Sequence, residues 1–455
     1  MNAEVVICGA GIAGIAAAYH LSVQRGVRDV VIVDELPPLS LTSDKSTECY
    51  RNWWPGPGDA MVAMTNRSID ILERLARESD NRFHLNRRGY LFATADESRI
   101  DGMREGALEA CALGAGEFRE HGAGASGGGD YIPAPSSGFE DLPDGADLIC
   151  DPSLIRCHFP YLSDTTCAVV HARRCGWLSA QQLGMVMLEK ARESGARLLQ
   201  ARVESVDTIG GRVRSVELAG GEGRQTIACN TFVNAAGPFA KHVGELLGIE
   251  LPLFGESHVK LAFHDQRGAL SQDAPLIIWN DPVRLPWSEE EREALAGEPE
   301  GRALLAEFPA GVHARPSGGD SVLLYWTLDT ERVEPVFPQT WDPATPEILL
   351  RGMSVAVPAL SAYFQHLPKP FVDGGYYAKT EENRPLIGPL PVEGAYMMGA
   401  FSGFGIMTAC ASGELLAAHV TGADLPAYAD AFRLERYQDP AYLQAFSGLE
   451  GGGQI

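Results

Sequence analysis

A glycine-rich turn near the N-terminus constrains the fold of this chain more than any other feature. Residues 3–8 form a short apolar run, Gly9-Ala-Gly-Ile-Ala-Gly14 follows directly, and a second apolar run at 30–33 ends in Asp34-Glu35. Such glycines permit a tight turn, close approach of the backbone to a pyrophosphate, and close helix–strand packing. Asp34 stands 20 residues after Gly14, the spacing of a carboxylate that binds ribose hydroxyls. The pattern predicts a dinucleotide site that includes Gly9, Gly11, Ile12, Ala13, Gly14, Asp34 and Glu35.

Composition and charge exclude several classes of partner. The 455 residues carry a formal net charge of −23, which argues against binding to nucleic-acid phosphates or to anionic lipid surfaces. Hydrophobic residues make up 45% of the chain, but no run of about 18 apolar residues occurs, so we expect no membrane span. No signal peptide precedes the first predicted strand. These features favour a cytoplasmic protein of two or three domains.

The cysteines favour reduced thiols over a metal site or a disulfide framework. There are nine of them, an odd number, and no pair has the C-x-x-C spacing of zinc ligands. We therefore expect no bound metal. The oligomeric state is left open by the sequence.

Five later segments of the sequence add to the evidence of the N-terminal turn. They are Leu154-Ile-Arg-Cys-His-Phe-Pro160, Gly176-Trp-Leu-Ser179, Val233-Asn-Ala-Ala-Gly237, Thr380-Glu-Glu-Asn-Arg-Pro-Leu-Ile-Gly388 and Gly399-Ala-Phe-Ser-Gly-Phe-Gly-Ile406. In this order, and after the N-terminal turn, they resemble the D-amino-acid-oxidase-like family of FAD-dependent oxidoreductases, which includes sarcosine oxidase, glycine oxidase and the D-amino acid dehydrogenases. The resemblance implies FAD as cofactor.

The resemblance extends the predicted cofactor site. Gly403 and Gly405 precede a predicted helix at 408–420, where backbone N–H groups would face an electron-rich group. No cysteine stands in residues 374–379, where family members with covalent flavin carry one, so noncovalent FAD is expected, with Cys49 as a remote alternative for attachment. The further residues implied to bind FAD are Ser46, Thr47, Val203, Ala235, Ala236, Gly237, Gly403, Phe404, Gly405 and Ile406.

Candidate catalytic residues follow from the resemblance and from side-chain chemistry. Arg51 falls where the family places an arginine close to the flavin, His258 is a candidate base, and Tyr377 belongs to an aromatic set expected around the flavin. Lys260, Arg315 and Arg384 are candidate cations for a substrate carboxylate, since arginine suits bidentate contact. The alternative for each of these residues is a structural role, in an ion pair or in the protein core. The rest of the aromatic set is Tyr50, Trp53, Trp54, Tyr325, Trp326, Tyr376, Phe401 and Phe404.

Departures from the family pattern bear on the substrate and on the electron acceptor. Leu323 stands where sarcosine-oxidase-like members carry the lysine that helps to activate O₂, and Trp54 and Met407 stand where those members bind the carboxylate. Slow reoxidation by O₂ is therefore expected, unless Lys260 or Arg51 reaches the same space. The acceptor is O₂ or an electron-transfer partner.

The predicted fold is α/β, with a Rossmann-like FAD-binding domain and a mostly antiparallel substrate domain. We assign 1–90, 148–245 and 380–455 to the first domain, and 91–147 and 246–379 to the second. The predicted reaction is oxidation of a C–N bond in a small-molecule amine or amino acid, with hydride transfer to flavin N5 and an imine product. A flavin monooxygenase and a noncatalytic FAD-binding assembly factor are the alternatives.

Local patterns predict several individual elements. Helices are expected at 61–79 and 180–194, a hairpin at 201–207 and 212–218, and one strand at 226–235. Residues 288–300 are expected to form an exposed acidic helix. Residues 122–147 are expected to form a surface loop and 448–455 a frayed tail.

Overall fold

A six-stranded sheet carries the N-terminal glycine turn. In the computed structural model, which describes residues 1–54, 56–122, 130–221 and 223–447, all neighbouring strands of this sheet are parallel except the first pair. The apolar runs are buried because layers of structure cover both faces of the sheet. The strand order across the sheet is Leu386–Pro389, Ala395–Gly399, Thr231–Asn234, Val5–Cys8, Val30–Asp34 and Arg197–Gln200.

Helices pack on this sheet and frame its carboxyl edge. The helix Ile12–Tyr19 starts directly after the glycine turn, and Gly405–Thr421 packs against it. A Cβ at Gly413 would lie 2.7 Å from the Ala16 carbonyl oxygen, so a glycine is needed for this close helix contact. The remaining α-helices are Thr42–Lys45, Ala60–Glu78, Ile100–Ala110, Pro152–His158, Ala180–Glu193, Ala240–Glu245, Glu289–Ala296, Pro299–Ala303, Thr345–Ser354 and Pro440–Phe446.

Short helical turns complete the helical content. The first helix continues as the π-turn His20–Gln24, and Cys111–Ala115 extends Ile100–Ala110 in the same way. The 3₁₀ turns are Glu97–Arg99, Gly237–Phe239, Pro358–Tyr363, Ala429–Phe432 and Leu434–Gln438.

Three consecutive strands form a separate antiparallel sheet. Its first two strands, Arg202–Ile209 and Arg212–Gly220, confirm the predicted hairpin. The prediction of one strand at 226–235 is wrong. Gly223–Ala228 closes the three-stranded sheet, whereas Thr231–Asn234 joins the six-stranded sheet. Both segments are rich in residues of high β-propensity, so the pattern did not reveal the crossing between sheets.

The second large sheet of the molecule is mixed and has ten strands. The three strands Tyr90–Thr94, Ala146–Ile149 and Ala168–Ala172 belong to it, although the predicted boundaries place much of them in the FAD-binding domain. The other strands are Arg332–Val333, Phe254–His264, Phe371–Lys379, Ser321–Tyr325, His313–Pro316, Leu276–Trp279 and Phe118–His121. Two ribbons pair Cys49–Arg51 with Cys175–Trp177 and Val283–Arg284 with Glu307–Phe308.

Most predicted helices are present with small shifts of their ends. The segment 288–300 contains two helices, the first with a capping box between Ser288 and Glu291. The predicted loop 122–147 is irregular up to the strand Ala146–Ile149, except for 123–129, which lie outside the described residues, as does the predicted tail 448–455. In the described part of the chain, no helix has both the length and the apolar composition to cross a bilayer. The combination of parallel and antiparallel sheets confirms the predicted α/β fold class.

Candidate functional site

A cavity lies at the carboxyl edge of the six-stranded sheet. Four parallel strands end at its wall, and the helices that begin at Ile12 and Gly405 start there. Cofactors bind at such strand ends in open α/β sheets. The predicted cofactor residues on its wall are Gly9, Gly11, Ile12, Ala13, Asp34, Ser46, Ala235, Ala236, Gly237, Gly403, Gly405 and Ile406.

Close backbone approach requires glycine at two positions of the N-terminal turn, Gly9 and Gly14. Gly9 has φ +112°, and a Cβ there would lie 2.3 Å from the carbonyl oxygen of Ala235. Gly14 does not line the cavity. A Cβ at Gly14 would lie 1.9 Å from the Gly9 carbonyl oxygen, so its role is helix–strand packing.

The Asp34 carboxylate accepts hydrogen bonds from two backbone amides at the cavity wall. Its Oδ2 accepts a hydrogen bond from the Ala10 amide at 2.7 Å, and Oδ1 accepts one from the Leu36 amide at 2.9 Å. A carboxylate oxygen has a second lone pair, so a ribose hydroxyl can still donate to either atom. Glu35 lines a separate groove beside Gln200 instead.

Ser43 is a cavity residue that the sequence patterns did not reveal. Its hydroxyl accepts a hydrogen bond from the Ile12 amide at 3.0 Å, at the start of the helix Ile12–Tyr19. No motif marked this serine, because it reaches the helix through the folding of the loop that follows the second strand. Other lining residues missed in the same loop are Leu36, Pro37, Leu39, Ser40, Leu41 and Thr42.

Besides Gly14 and Glu35, three predicted cofactor residues do not line the first cavity. Thr47 and Phe404 line a second cavity, described below. Val203 is buried in the apolar cluster between the six-stranded and three-stranded sheets and lines neither cavity. The structure therefore does not bring Val203 to the predicted site.

A second cavity adjoins the first. Arg51 and His313 line it together with tyrosine side chains, and none of the lining residues that the structure describes is acidic. The walls of the two cavities share Ser46, Tyr377, Ser402, Gly403 and Ile406. The other residues of the second wall are Thr47, Cys49, Tyr90, Leu276, Ile278, Tyr325, Thr327, Phe404 and Met407.

Arg51 brings a buried positive charge to the second cavity. Its side chain is only 4% exposed, and burial lowers the pKa of the guanidinium, which still remains charged at neutral pH. The guanidinium carbon lies 5.3 Å from the centroid of Trp54 and 5.8 Å from that of Phe404. Aromatic faces of this kind attract cations.

Lys260 and Arg315 lie behind the second cavity and do not line it. The Lys260 ammonium donates to the backbone oxygens of Asp44 at 3.0 Å and Ser46 at 3.1 Å. The Arg315 guanidinium donates to the Thr47 carbonyl at 2.8 Å and lies 3.2 Å from the Glu48 carboxylate. Both cations therefore hold the loop that carries Ser46 and Thr47. This placement does not give either of them the predicted contact with a substrate carboxylate.

His258 is also one layer removed from the cavities. Its Nδ1 lies 2.7 Å from the hydroxyl of Tyr325, and its ring stacks on Tyr377 with centroids 4.1 Å apart. Tyr377 lines both cavities and Tyr325 lines the second one. His258 can therefore act on the cavity only through Tyr325 or Tyr377.

The rest of the aromatic set divides between cavity walls and core. Trp54 meets Phe404 edge-on, with centroids 4.5 Å apart, whereas Tyr50 and Trp326 are fully buried elsewhere. Leu323 packs with Tyr325 and Tyr377 without lining either cavity. The guanidinium carbon of Arg384 lies 5.4 Å from the ring centroid of Trp54, and Arg384 lines a separate pocket beside Phe446.

Comparison of the amino-acid sequence with known protein families gives one match over most of the chain. Residues 4–419 match the DAO family, described as FAD dependent oxidoreductase. The chain belongs to this family. That result confirms the predicted resemblance and the prediction of an FAD-dependent oxidoreductase.

Known proteins resemble the chain at low identity. Mitochondrial dimethylglycine dehydrogenase from Rattus norvegicus is 26% identical over 345 residues, which are 73% of this chain but only 35% of that protein. The chain thus spans about a third of the relative's length. L-proline dehydrogenase from P. horikoshii is 19% identical with a TM-score of 0.73, covering 96% of this chain and 98% of that one. Glycine oxidase from Bacillus cereus is 16% identical with a TM-score of 0.69, covering 94% and 98%. The structural likeness shows the fold.

The first cavity fits the cofactor of this family. A Cβ at Gly11 would meet only the Ser43 hydroxyl, at 3.2 Å, so this glycine leaves open the space that a pyrophosphate would enter, and a helix N-terminus faces the same space. Asp34 lies on the same wall, at the end of the strand Val30–Asp34, and its carboxylate oxygens are hydrogen-bond acceptors. Within the described residues, no three His, Cys, Asp or Glu side chains form a metal-binding group.

Proposed function

We propose that the protein oxidises a C–N bond in an amino acid or a related amine, with noncovalently bound FAD as the oxidant. The observation that carries the proposal is the shared wall of the two cavities. A cofactor in the first cavity would border the second, so a substrate in the second would meet it without crossing solvent. Enclosure of this kind keeps water away from the reacting atoms.

The residues of the first cavity would hold FAD through complementary contacts. Gly11 and the start of the following helix would approach the pyrophosphate, Asp34 would bind the ribose, and the turn at Gly403 and Gly405 would donate to the electron-rich edge of the ring. When bound, FAD supplies a hydride acceptor, and the protein supplies orientation and a dry pocket.

The second cavity suits a substrate with a carboxylate. Arg51 is the one cationic side chain on its described wall, and arginine pairs readily with carboxylates. The similar proteins are named for dimethylglycine, proline and glycine, which all carry an amine nitrogen and a carboxylate. This similarity supports an amino acid as substrate of the present chain.

The finer features of the proposal concern attachment, acceptor and organisation. Residues 374–379 contain no cysteine, and burial raises the pKa of the Cys49 thiol, which disfavours the reactive thiolate. We therefore propose noncovalent FAD, reoxidised by O₂ or by an electron-transfer partner. We also retain the two-domain division, with the six-stranded sheet binding FAD and the ten-stranded sheet covering the substrate, and a cytoplasmic location.

Anaerobic mixing with a panel of amines and amino acids tests the proposed function. The protein loaded with FAD should lose its flavin absorbance with at least one member of the panel, and Arg51→Met should weaken the reaction of carboxylate-bearing members most. A flavin that stays oxidised with every member would contradict the proposal and would favour a noncatalytic FAD-binding role. Release of all flavin on acid precipitation is expected, and flavin that remains on the denatured chain would disprove noncovalent binding.

A further inference from the structure

His313 is held in one tautomer at the wall of the second cavity. Its Nδ1 lies 2.9 Å from the carbonyl oxygen of Gly311. A carbonyl oxygen can only accept, so Nδ1 carries the hydrogen. Burial lowers the pKa of His313 to about 4, so the ring is neutral at neutral pH. In this tautomer Nε2 presents a lone pair.

That lone pair is available to a ligand. Within the part of the chain that the structure describes, no hydrogen bond is made by His313 Nε2. The ring rests against Tyr325, with centroids 4.7 Å apart, which fixes its plane. His313 lies on the wall of the second cavity, where a ligand or a water can donate to this acceptor. His313 therefore offers the second cavity an oriented hydrogen-bond acceptor.

The proposed reaction requires the uncharged form of the amine. As hydride leaves the adjacent carbon, the nitrogen lone pair becomes part of the C=N bond, and an ammonium has no such lone pair. The amine that reacts in the cavity is therefore uncharged. An uncharged primary or secondary amine has an N–H to donate, whereas an uncharged tertiary amine has none.

We propose that His313 Nε2 accepts a hydrogen bond from the N–H of the substrate amine, so that the pocket selects primary or secondary amino acids over tertiary ones. This inference rests on the proposed function and deepens it. It assigns to His313 a contact that the sequence patterns did not suggest. A tertiary amine would direct its own lone pair at Nε2, or leave Nε2 unpaired.

Matched substrate pairs test the inference. Sarcosine is compared with N,N-dimethylglycine, and proline with N-methylproline, by the rate of anaerobic flavin reduction in single turnovers. The wild type should favour the N–H member of a reactive pair by about tenfold or more, since a site built to bind a donor rejects the analogue that lacks it. In His313→Phe, which keeps an aromatic ring against Tyr325, the ratio should fall towards one.

A second variant and a second readout separate contact from packing. In His313→Gln, the side-chain amide can donate to Gly311 and still present an oxygen acceptor, so much of the preference should return. Methoxyacetate has no N–H to donate to Nε2, so its affinity, measured by calorimetry, should not fall in His313→Phe. His366→Gln, at an exposed site, is the control.

The outcomes distinguish this inference from the proposed function. A wild type reduced by no amine overturns both. A wild type that is reduced without preference for the N–H member overturns the inference alone, even if His313→Phe fails to fold. The same holds if the preference survives in His313→Phe, or if methoxyacetate loses affinity by the same factor as the N–H substrates.

Discussion

Nδ1 of His258 lies 2.7 Å from the hydroxyl oxygen of Tyr325, and Nε2 of the same ring lies 3.3 Å from the Glu256 carboxylate. Burial alone would raise the pKa of Glu256, but hydrogen bonds from His258 and Lys379 outweigh burial and lower it, so the group is a carboxylate. A carboxylate only accepts, so Nε2 carries the hydrogen and Nδ1 accepts the O–H of Tyr325. The hydroxyl proton of Tyr325 thus points towards His258.

Glu256→Gln should destabilise the protein by about 3–5 kcal/mol, because it leaves the Lys379 ammonium buried without its counter-charge. The two groups are 2.8 Å apart and both side chains are nearly inaccessible. The free energy of unfolding in urea measures the effect. Glu381→Gln is the matched control, since Glu381 pairs with Arg332 on the surface and should contribute less than about 1 kcal/mol. Equal losses in the two variants would contradict the role assigned to the buried pair.

Gly11→Val should abolish FAD binding without unfolding the chain. A Cβ at Gly11 meets only the Ser43 hydroxyl, at 3.2 Å, so the added methyl groups would fill the cavity where a pyrophosphate must approach. Flavin content of the purified protein measures the effect. Gly102→Val, in a helix with no atom near the new Cβ, is the control. A Gly11→Val protein that purifies with full flavin would refute the assignment.

Asp34→Ala should weaken FAD binding by about 1.5–3 kcal/mol, the usual range for a hydrogen bond to a charged group. The loss combines the ribose contact with the carboxylate's hydrogen bonds to the Ala10 and Leu36 amides. Fluorescence titration of the apoprotein with FAD gives the dissociation constant. Glu35→Ala should leave that constant unchanged, because Glu35 lines a separate groove. The assignment fails if Asp34→Ala binds FAD as tightly as wild type.

His20 should make the protein less stable in acid. Neither ring nitrogen has a hydrogen-bond partner among the described residues, and burial lowers the pKa to about 3. As the pH falls below 6.5, the unfolded chain binds a proton at this site before the folded chain does, so stability decreases. His20→Leu should therefore reduce the loss of unfolding free energy between pH 7 and pH 5 by about 2 kcal/mol. His366→Gln should leave that loss unchanged, and an unaltered loss in His20→Leu would refute the prediction.

Local chemistry explains which features could be predicted from the sequence. The turn at Gly9 and Gly14 is recognisable because the close approach of two backbone segments excludes any side chain there. Asp34 follows from its fixed distance along one strand–helix–strand unit. These features depend on few residues that are near one another in the chain.

Long-range strand pairing explains what could not be predicted. His313 and Arg51 are far apart in the sequence, and strand pairing in the ten-stranded sheet brings His313 to the wall that Arg51 also lines. No sequence motif marks His313. Lys260 and Arg315 have the right charge for a substrate carboxylate, yet the sheet directs both to the backbone of the loop at 44–47. A single sequence gives residue types, whereas the register and twist of the ten-stranded sheet decide which of them reach the cavity.

Deuterium substitution at the carbon next to the substrate nitrogen tests the central claim most directly. The rate of anaerobic flavin reduction is measured in single turnovers with an amino acid that reduces the protein and with its deuterated form. Oxidation of the C–N bond breaks that C–H bond, so the deuterated substrate should reduce the flavin markedly more slowly. One equivalent of the imine, or of its hydrolysis product, should form for each flavin reduced. Failure of every amino acid to reduce the flavin, or reduction without any imine-derived product, would contradict the account.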